Sequence, residues 1–373
     1  MKSTGKSFSN FTGTLKNRFE KGDTSYSVRG KRRFLAVVVI GAIAAAVIFI
    51  FSMCVGSTKV FSVGEMFSAL FSAIGKGGAN LTDDEIIIFS SRMPRTLAAI
   101  AVGVGLSIAG CMYQAVIRNP LCDPYIMGVS SGAGVAAIAV IAFNFTFFGL
   151  FPSNSVFVTA VAAMVGGVAA FFATMIIAEK AGGSSVSYVL GGVIVGLAFG
   201  AVQTLLMVLA GHKITSAMSW LFGSFANVSW TQVWMMIIPI AALSIVPFIW
   251  AKEFNLVLLG EDNALQLGLN VRKFNRVMLI LASVLTSVCV AFVGIIGFVG
   301  LVVPHFCRMI LGGDHRLVLP ASVFVGSALM MLADFAARTL FMGLELPVGA
   351  LTTIIGVPVF VYLLLKKGKM YDG

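Results

Sequence analysis

Long apolar runs broken by short polar connections dominate this chain. Ten runs can be marked, at 34–55, 95–117, 125–148, 155–178, 186–210, 231–251, 275–296, 297–311, 317–337 and 347–365. Most come close to the ~20 residues an α-helix needs to cross a hydrocarbon core about 30 Å thick. The run 297–311 is short and carries Pro304, His305 and Arg308, so it is expected to lie against protein rather than lipid. Residues 1–33 are polar, rich in Ser, Gly and Lys, and their composition predicts an unstructured tail. The first apolar run is too long, and too far from the start, for the core of a signal sequence; a first membrane helix is expected instead.

Composition turns these runs into an architecture. Hydrophobic residues make up 58% of the 373 and charged residues only 11%, against about 25% charged in a soluble domain. Such a chain cannot cover itself with water-facing side chains. We therefore expect an all-α, polytopic integral membrane protein of about ten transmembrane helices, with its membrane domain at 34–366 and a C-terminal tail at 367–373. The net charge of +11 does not point to nucleic acid, because the basic residues sit in short segments between apolar runs and form no basic groove. Five cysteines without CxxC spacing predict neither a disulfide framework nor a metal cluster.

Charge also gives an orientation. With the N-terminus inside and ten crossings, twenty of the 26 Lys and Arg fall on the cytoplasmic side and six on the outer side, as the positive-inside rule favours. Both termini are then cytoplasmic. Arg92, Arg95 and Arg338 break the rule at outer helix ends. One such residue is an ordinary snorkelling anchor. Three on one face predict a dock for an acidic partner or ligand. Gly192, Gly196 and Gly200 recur every fourth residue, which predicts a face for close helix packing; Gly294, Gly297 and Gly300 recur every third. The connection 252–274 reads as one or two short amphipathic helices broken at Gly260 and Gly268. A helix lying on lipid would carry Lys or Arg on its polar face. This one carries Glu261 and Asp262, so contact with protein is expected.

Several chemistries lack their residues. There is no GxxxxGK[ST] phosphate loop and no HExxH pair, and His212, His305 and His315 lie on separate segments without ligand spacing. Gly132–Ala137 fits GxGxxA, but inside an apolar run with no βαβ unit around it. Asp83, Asp84 and Glu85 read as a solvated acidic loop. Asp123, Asp314, Asp334 and Glu345 lie near helix ends, none at mid-span with a partner, so ion-coupled transport is unsupported. A membrane-embedded enzyme would need a nucleophile, a base or metal ligands in one cavity, and no such set is visible. No cofactor is expected.

Several separated motifs resemble, in order, those of the FecCD-type permease subunits of binding-protein-dependent ABC importers for iron–siderophore, haem and cobalamin. They are RMPR, RNPLCDPYIMGVSSGAG, GFVGLVVPHFCRMILGGDHRLVLP, ADFAAR and ELPVGALTTIIGVPVF. The resemblance covers roughly 60–366. It implies ten helices per subunit and a pore formed with a second permease, either a copy or a paralogue. It also implies two cytoplasmic ATPase subunits, so that ATP hydrolysis lies in a separate chain, and an extracytoplasmic solute-binding protein. It places that protein's acidic residues on Arg92, Arg95 and Arg338, and ATPase coupling on Gly260, Glu261, Ala264, Leu267 and Gly268. The cytoplasmic gate falls on Ser184, Ser185 and Ser187. The implied location is a bacterial or archaeal cytoplasmic membrane, and an iron–siderophore complex is the first choice of substrate, with cobalamin or haem behind it.

Overall fold

The computed structural model describes residues 5–144, 155–226, 228–341 and 344–371. Among these every regular element is helical. In chain order they are α1 (Gly5–Cys54), α2 (Val63–Gly75), α3 (Asp83–Val116), α4 (Val129–Phe143), α5 (Val156–Lys180), α6 (Ser185–Leu209) and α7 (Ile214–Leu221). There follow α8 (Trp230–Ile249), α9 (Ala251–Leu258), α10 (Glu261–Gln266), α11 (Val271–Val293), α12 (Val299–Leu311), α13 (His315–Thr339) and α14 (Val348–Tyr371).

Seven helices are long and apolar enough to cross a membrane: Gly30–Cys54 of α1, and α3, α5, α6, α8, α11 and α13. The expected spans 125–148, 297–311 and 347–365 correspond to shorter apolar helices, Val129–Phe143, Val299–Leu311 and Val348–Pro358. Residues 145–148 of the first of these, with 1–4 and 372–373 of the tails, lie outside the described residues. The chain is a multi-pass membrane protein.

Local chemistry sets many of the helix ends. Ser184, Ser229, Asn270 and Asp314 each accept a backbone N–H from the first turn of the helix that follows, which satisfies donors that have no partner inside the helix. Gly294 and Gly312, at φ 77° and 88°, end α11 and α12 in a conformation that a side chain would strain. One expectation fails at the start of the chain. Residues 5–33, read as unstructured, continue α1 as helix. The segment holds no proline, and a membrane-stabilised span removes the nucleation cost, so extending it adds one hydrogen bond per residue fixed. A second difference is α2, an amphipathic helix outside the ten expected spans. It starts with a capping box, in which Glu65 N–H donates to Ser62 Oγ and Ser62 N–H to Glu65 Oε2.

Helix α3 is the hub. Helices α8, α11, α12 and α13 all pack on it. Small residues permit this: a Cβ on Gly103 would strike the Gly326 carbonyl of α13, and one on Gly110 the Gly300 carbonyl of α12. Lipid offers no hydrophobic drive for helices to associate, so this close backbone approach supplies the van der Waals attraction. Gln114 adds a polar tie, its Nε2 lying 3.1–3.2 Å from the carbonyls of Cys122, Gly300 and Leu301. Helices α4, α5 and α6 form a second group that joins the first through α5 on α11. The 297–311 run behaves as expected, since α12 packs on α3 and α13. The Gly192 face behaves only in part. Gly192 meets the backbone of Ile126, but Gly196 has only Ser131 Oγ at 3.8 Å, and a Cβ on Gly200 would find nothing within 4 Å. The repeat marks one close approach, to the turn at Pro124–Met127, and then a largely unpacked face.

Candidate functional site: an arginine pocket and an opposite knuckle

Pro94 shapes the first site. It has no N–H for the Ser90 carbonyl, and its ring crowds that group. The preceding turn widens into a π segment, Ile86–Arg92, in which Met93 N–H bonds to the Ile88 carbonyl. Such widened turns recur at functional positions. Arg92 and Arg95, three residues apart and therefore neighbours on the helix surface, flank this proline.

The structure brings Arg92, Arg95 and Arg338 together, but their charges are engaged inward. Arg92 is only 4% exposed. Its Nη1 donates to the Met53 and Cys54 carbonyls (2.7 and 3.0 Å), its Nη2 to the Lys59 carbonyl, and the guanidinium lies 5.1 Å from the Phe61 ring centre. A side chain on Gly56 would collide with it. Arg338 Nη2 donates to the Ser52 carbonyl and to Ser52 Oγ (2.7 Å). Two cations therefore close the carbonyl end of α1, where the helix dipole is negative.

Arg95 is held differently. Its Nε donates to Asp334 Oδ1 at 2.5 Å, and its Nη2 pairs with Glu345. Arg338 Nε lies 3.8 Å from Asp334 Oδ2. Asp334 is 1% exposed. Asp334 and Glu345, expected near the helix ends and away from mid-span, lie there and are paired with these arginines. Within the membrane-facing bundle, burial favours pairing over hydration. Three arginines against two carboxylates leave the cluster one positive charge in excess. The same three side chains line a hollow of about 370 Å³, with Gly56, Ser57, Thr58 and Ser91 on its rim.

At the end of the bundle opposite the arginines, α9 and α10 form a knuckle with breaks where the glycines predicted them. Gly260 (φ 99°, ψ 158°) and Gly268 (φ 88°) both adopt backbone that favours glycine. Ala264 is fully buried and anchors the knuckle, and Glu261 lies 3.9 Å from Arg272. Leu258, Leu259, Leu265 and Leu267 are exposed. An apolar tip flanked by Glu261 and Asp262 suits a protein surface better than anionic lipid.

Sequence reasoning missed how the knuckle is fixed to the bundle. Asn255 Nδ2 donates to Asp314 Oδ1 (2.7 Å), and Asn255 Oδ1 accepts from His315 N–H (2.9 Å) and lies 2.9 Å from His315 Nδ1. Asp314 also caps α13. These residues are 59 and 60 positions apart, and no local pattern connects them.

Ser184, Ser185 and Ser187, the residues on which the resemblance places a gate, lie at the start of α6. Ser184 Oγ accepts from Ser187 N–H (3.1 Å), Ser187 Oγ donates to the Ala181 carbonyl (3.0 Å), and Ser185 is half-buried. Beside them Glu179 accepts from Tyr188 Oη and from Arg276 Nη2 (2.7 and 3.0 Å), tying α5 and α6 to the root of α11. In the nearby turn after α3, burial pushes the Asp123 carboxyl up to about 6 against the opposing bond from Tyr125 N–H.

The chain is similar to several known proteins. The chain is 40% identical over 284 residues to a cobalamin import system permease of Halobacterium salinarum, covering 76% of this chain and 74% of that protein. It is 32% identical over 339 residues to an iron(3+)-hydroxamate import system permease of Bacillus subtilis (89% and 97%). It is 34% identical over 283 residues to a hemin transport system permease of Yersinia pestis (76% and 84%). A solved inward-facing ABC transporter described as of metal-chelate type superposes with a TM-score of 0.75 at 27% identity, covering 89% of this chain and 99% of that one. Residues 42–366 match the model of the FecCD transport family, and the chain, with its arginine-lined end and opposite knuckle, belongs to that family.

Proposed function

We propose that this chain is the membrane-spanning permease subunit of an ABC importer and forms, with a second permease, the path for an iron–siderophore complex. The solute-binding protein docks at the arginine end, outside the cell, and two ATPase subunits contact the knuckle, inside. ATP hydrolysis belongs to those subunits. The observation that carries this reading is the joining of two unlike ends by one tightly packed hub: α3 begins at the arginine pocket and packs along α12 and α13, to whose junction Asn255 fixes the knuckle. Movement of the knuckle is thereby delivered to the helices that carry the dock.

The buried state of the arginines changes how docking works. An acidic partner meets a rim with one excess positive charge, not three free guanidiniums. Exposed pairs contribute only about 0.2–1 kcal/mol each, so affinity rests on several contacts and falls with salt. Reversing the arginines would break the carbonyl end of α1 and confound the test. Ser57→Glu and Ser91→Glu place like charge on the exposed rim instead. Each should weaken binding of the purified binding protein several-fold at low salt and leave thermal stability unchanged; unaltered binding in the double variant would sink the dock.

Leu267→Glu tests the other end. Leu267 is 62% exposed, so the fold should tolerate the change. A charge at the apolar tip should uncouple ATP hydrolysis from uptake in reconstituted vesicles, and normal coupling would count against the knuckle's role. Cobalamin is the second reading for substrate, favoured by the 40% identity to the Halobacterium permease.

A further inference from the structure

A groove of about 540 Å³ runs between α1, α12 and α13 on the outside of the bundle. The Phe324 ring covers Gly41 at its deep end, and Ala36, Ile40, Phe306 and Ile310 supply apolar walls. At its mouth a second hollow, of about 620 Å³, shares Leu317 with it and opens between Lys31 and Arg316; Arg33 lines the groove beside them. All three cations are exposed, and none forms an ion pair among the described residues. The one acid there, Asp314, is already engaged by Asn255 Nδ2 and by the N–H of Arg316.

The dimensions fit one leaflet. From Arg33 to Gly41, α1 rises about 12 Å, against roughly 15 Å for half of a ~30 Å hydrocarbon core. Charge sits where headgroups lie, and an apolar channel runs inward from it. Guanidinium groups bind phosphate oxygens in a fixed, often bidentate geometry. Basic hollows between membrane helices on the cytoplasmic side suit anionic headgroups. The mouth lies at the knuckle end, which the functional reading above places on that side.

We propose that this groove is a binding site for one anionic phospholipid, with its phosphate at Lys31, Arg33 and Arg316 and an acyl chain between α1 and the α12–α13 pair. A zwitterionic lipid would bring its own cation to three others and is disfavoured. Helix α1 packs mainly on α13, so a lipid filling this seam fastens it to the bundle.

The test uses the full chain in a nonionic detergent, titrated with phosphatidylglycerol, with phosphatidylcholine of the same chains, and with glycerol phosphate. Native mass spectrometry counts bound lipid, and a melting curve follows stability. One phosphatidylglycerol should bind saturably and raise the melting temperature, with phosphatidylcholine roughly tenfold weaker. The Arg33→Gln/Arg316→Gln pair should lose about tenfold in affinity. Ala36→Trp, an exposed position that narrows the groove without altering charge, should also lose the bound lipid. Equal binding of the two lipids would reveal ordinary annular lipid and overturn the proposal. So would saturable binding of glycerol phosphate alone, or phosphatidylglycerol binding unchanged in both variants. Neither substrate nor binding protein enters the experiment, so its failure leaves the importer reading untouched.

Discussion

Asp334→Ala is expected to destabilise the protein by about 3–5 kcal/mol, the usual cost of leaving a buried charge without its partner. The carboxylate is 1% exposed and holds Arg95 by a 2.5 Å bond while standing 3.8 Å from Arg338. Its loss leaves Arg95 paired with Glu345 alone and Arg338 hydrogen-bonded to Ser52 alone, although the two guanidiniums are only 12% and 10% exposed. Thermal unfolding followed by tryptophan fluorescence reads the effect. Asp334→Asn, which keeps the shape and loses the charge, should fall between the two. Removing both charges, as Asp334→Leu with Arg95→Met, should recover much of the loss, because an apolar pair of similar volume needs no hydration. A near-neutral Asp334→Ala would mean that water reaches the cluster and the pairs contribute little.

Gly110→Val is the second large effect. The new Cβ would meet the Gly300 carbonyl and backbone of α12, where no flexible side chain can yield. Overpacking of this kind costs about 1–3 kcal/mol and sometimes more. Here it separates α12 from the hub helix, so the melting temperature should fall and Gln114 should lose its carbonyls on α12. Gly200→Ala is the matched control. It lies inside α6 with nothing within 4 Å, so the higher helix propensity of alanine should leave stability unchanged or raise it by up to about 1 kcal/mol.

These residues mark the boundary of what the chain discloses in one dimension. Hydropathy located seven helices long enough to cross a membrane and three shorter apolar ones, because a membrane span is a local property of some twenty consecutive residues. Gly260 and Gly268 located the knuckle's breaks for the same reason, since backbone at positive φ favours glycine. Charge asymmetry singled out Arg92, Arg95 and Arg338. It could not reveal their partners. Arg95 and Asp334 are 239 residues apart, and Arg92 bonds to carbonyls, which carry no side-chain signature. The i, i+4 spacing of Asp334 and Arg338 was readable and would have given one of the pairs. The glycine repeat on α6 misled because spacing shows that a face is small, not that anything lies against it. The gate and docking roles came from resemblance, and the Ser57 and Ser91 variants test the second of them.

The π segment at Ile86–Arg92 has one further consequence. Its wider turn holds one residue more than an α-turn, and one residue rotates everything before it by about 100° around the helix axis. Glu85 lies just before it and faces α2, where it binds Ser72 Oγ and Lys76 Nζ (2.5 and 2.8 Å). Arg92, its last residue, and Arg95, just after it, face α1 and α13. The extra residue acts as a phase shift that lets one helix address two different sets of neighbours. Deleting a single residue between 86 and 91 would leave the composition of the span almost unchanged, yet turn Glu85 away from Lys76 while the arginines kept their hold.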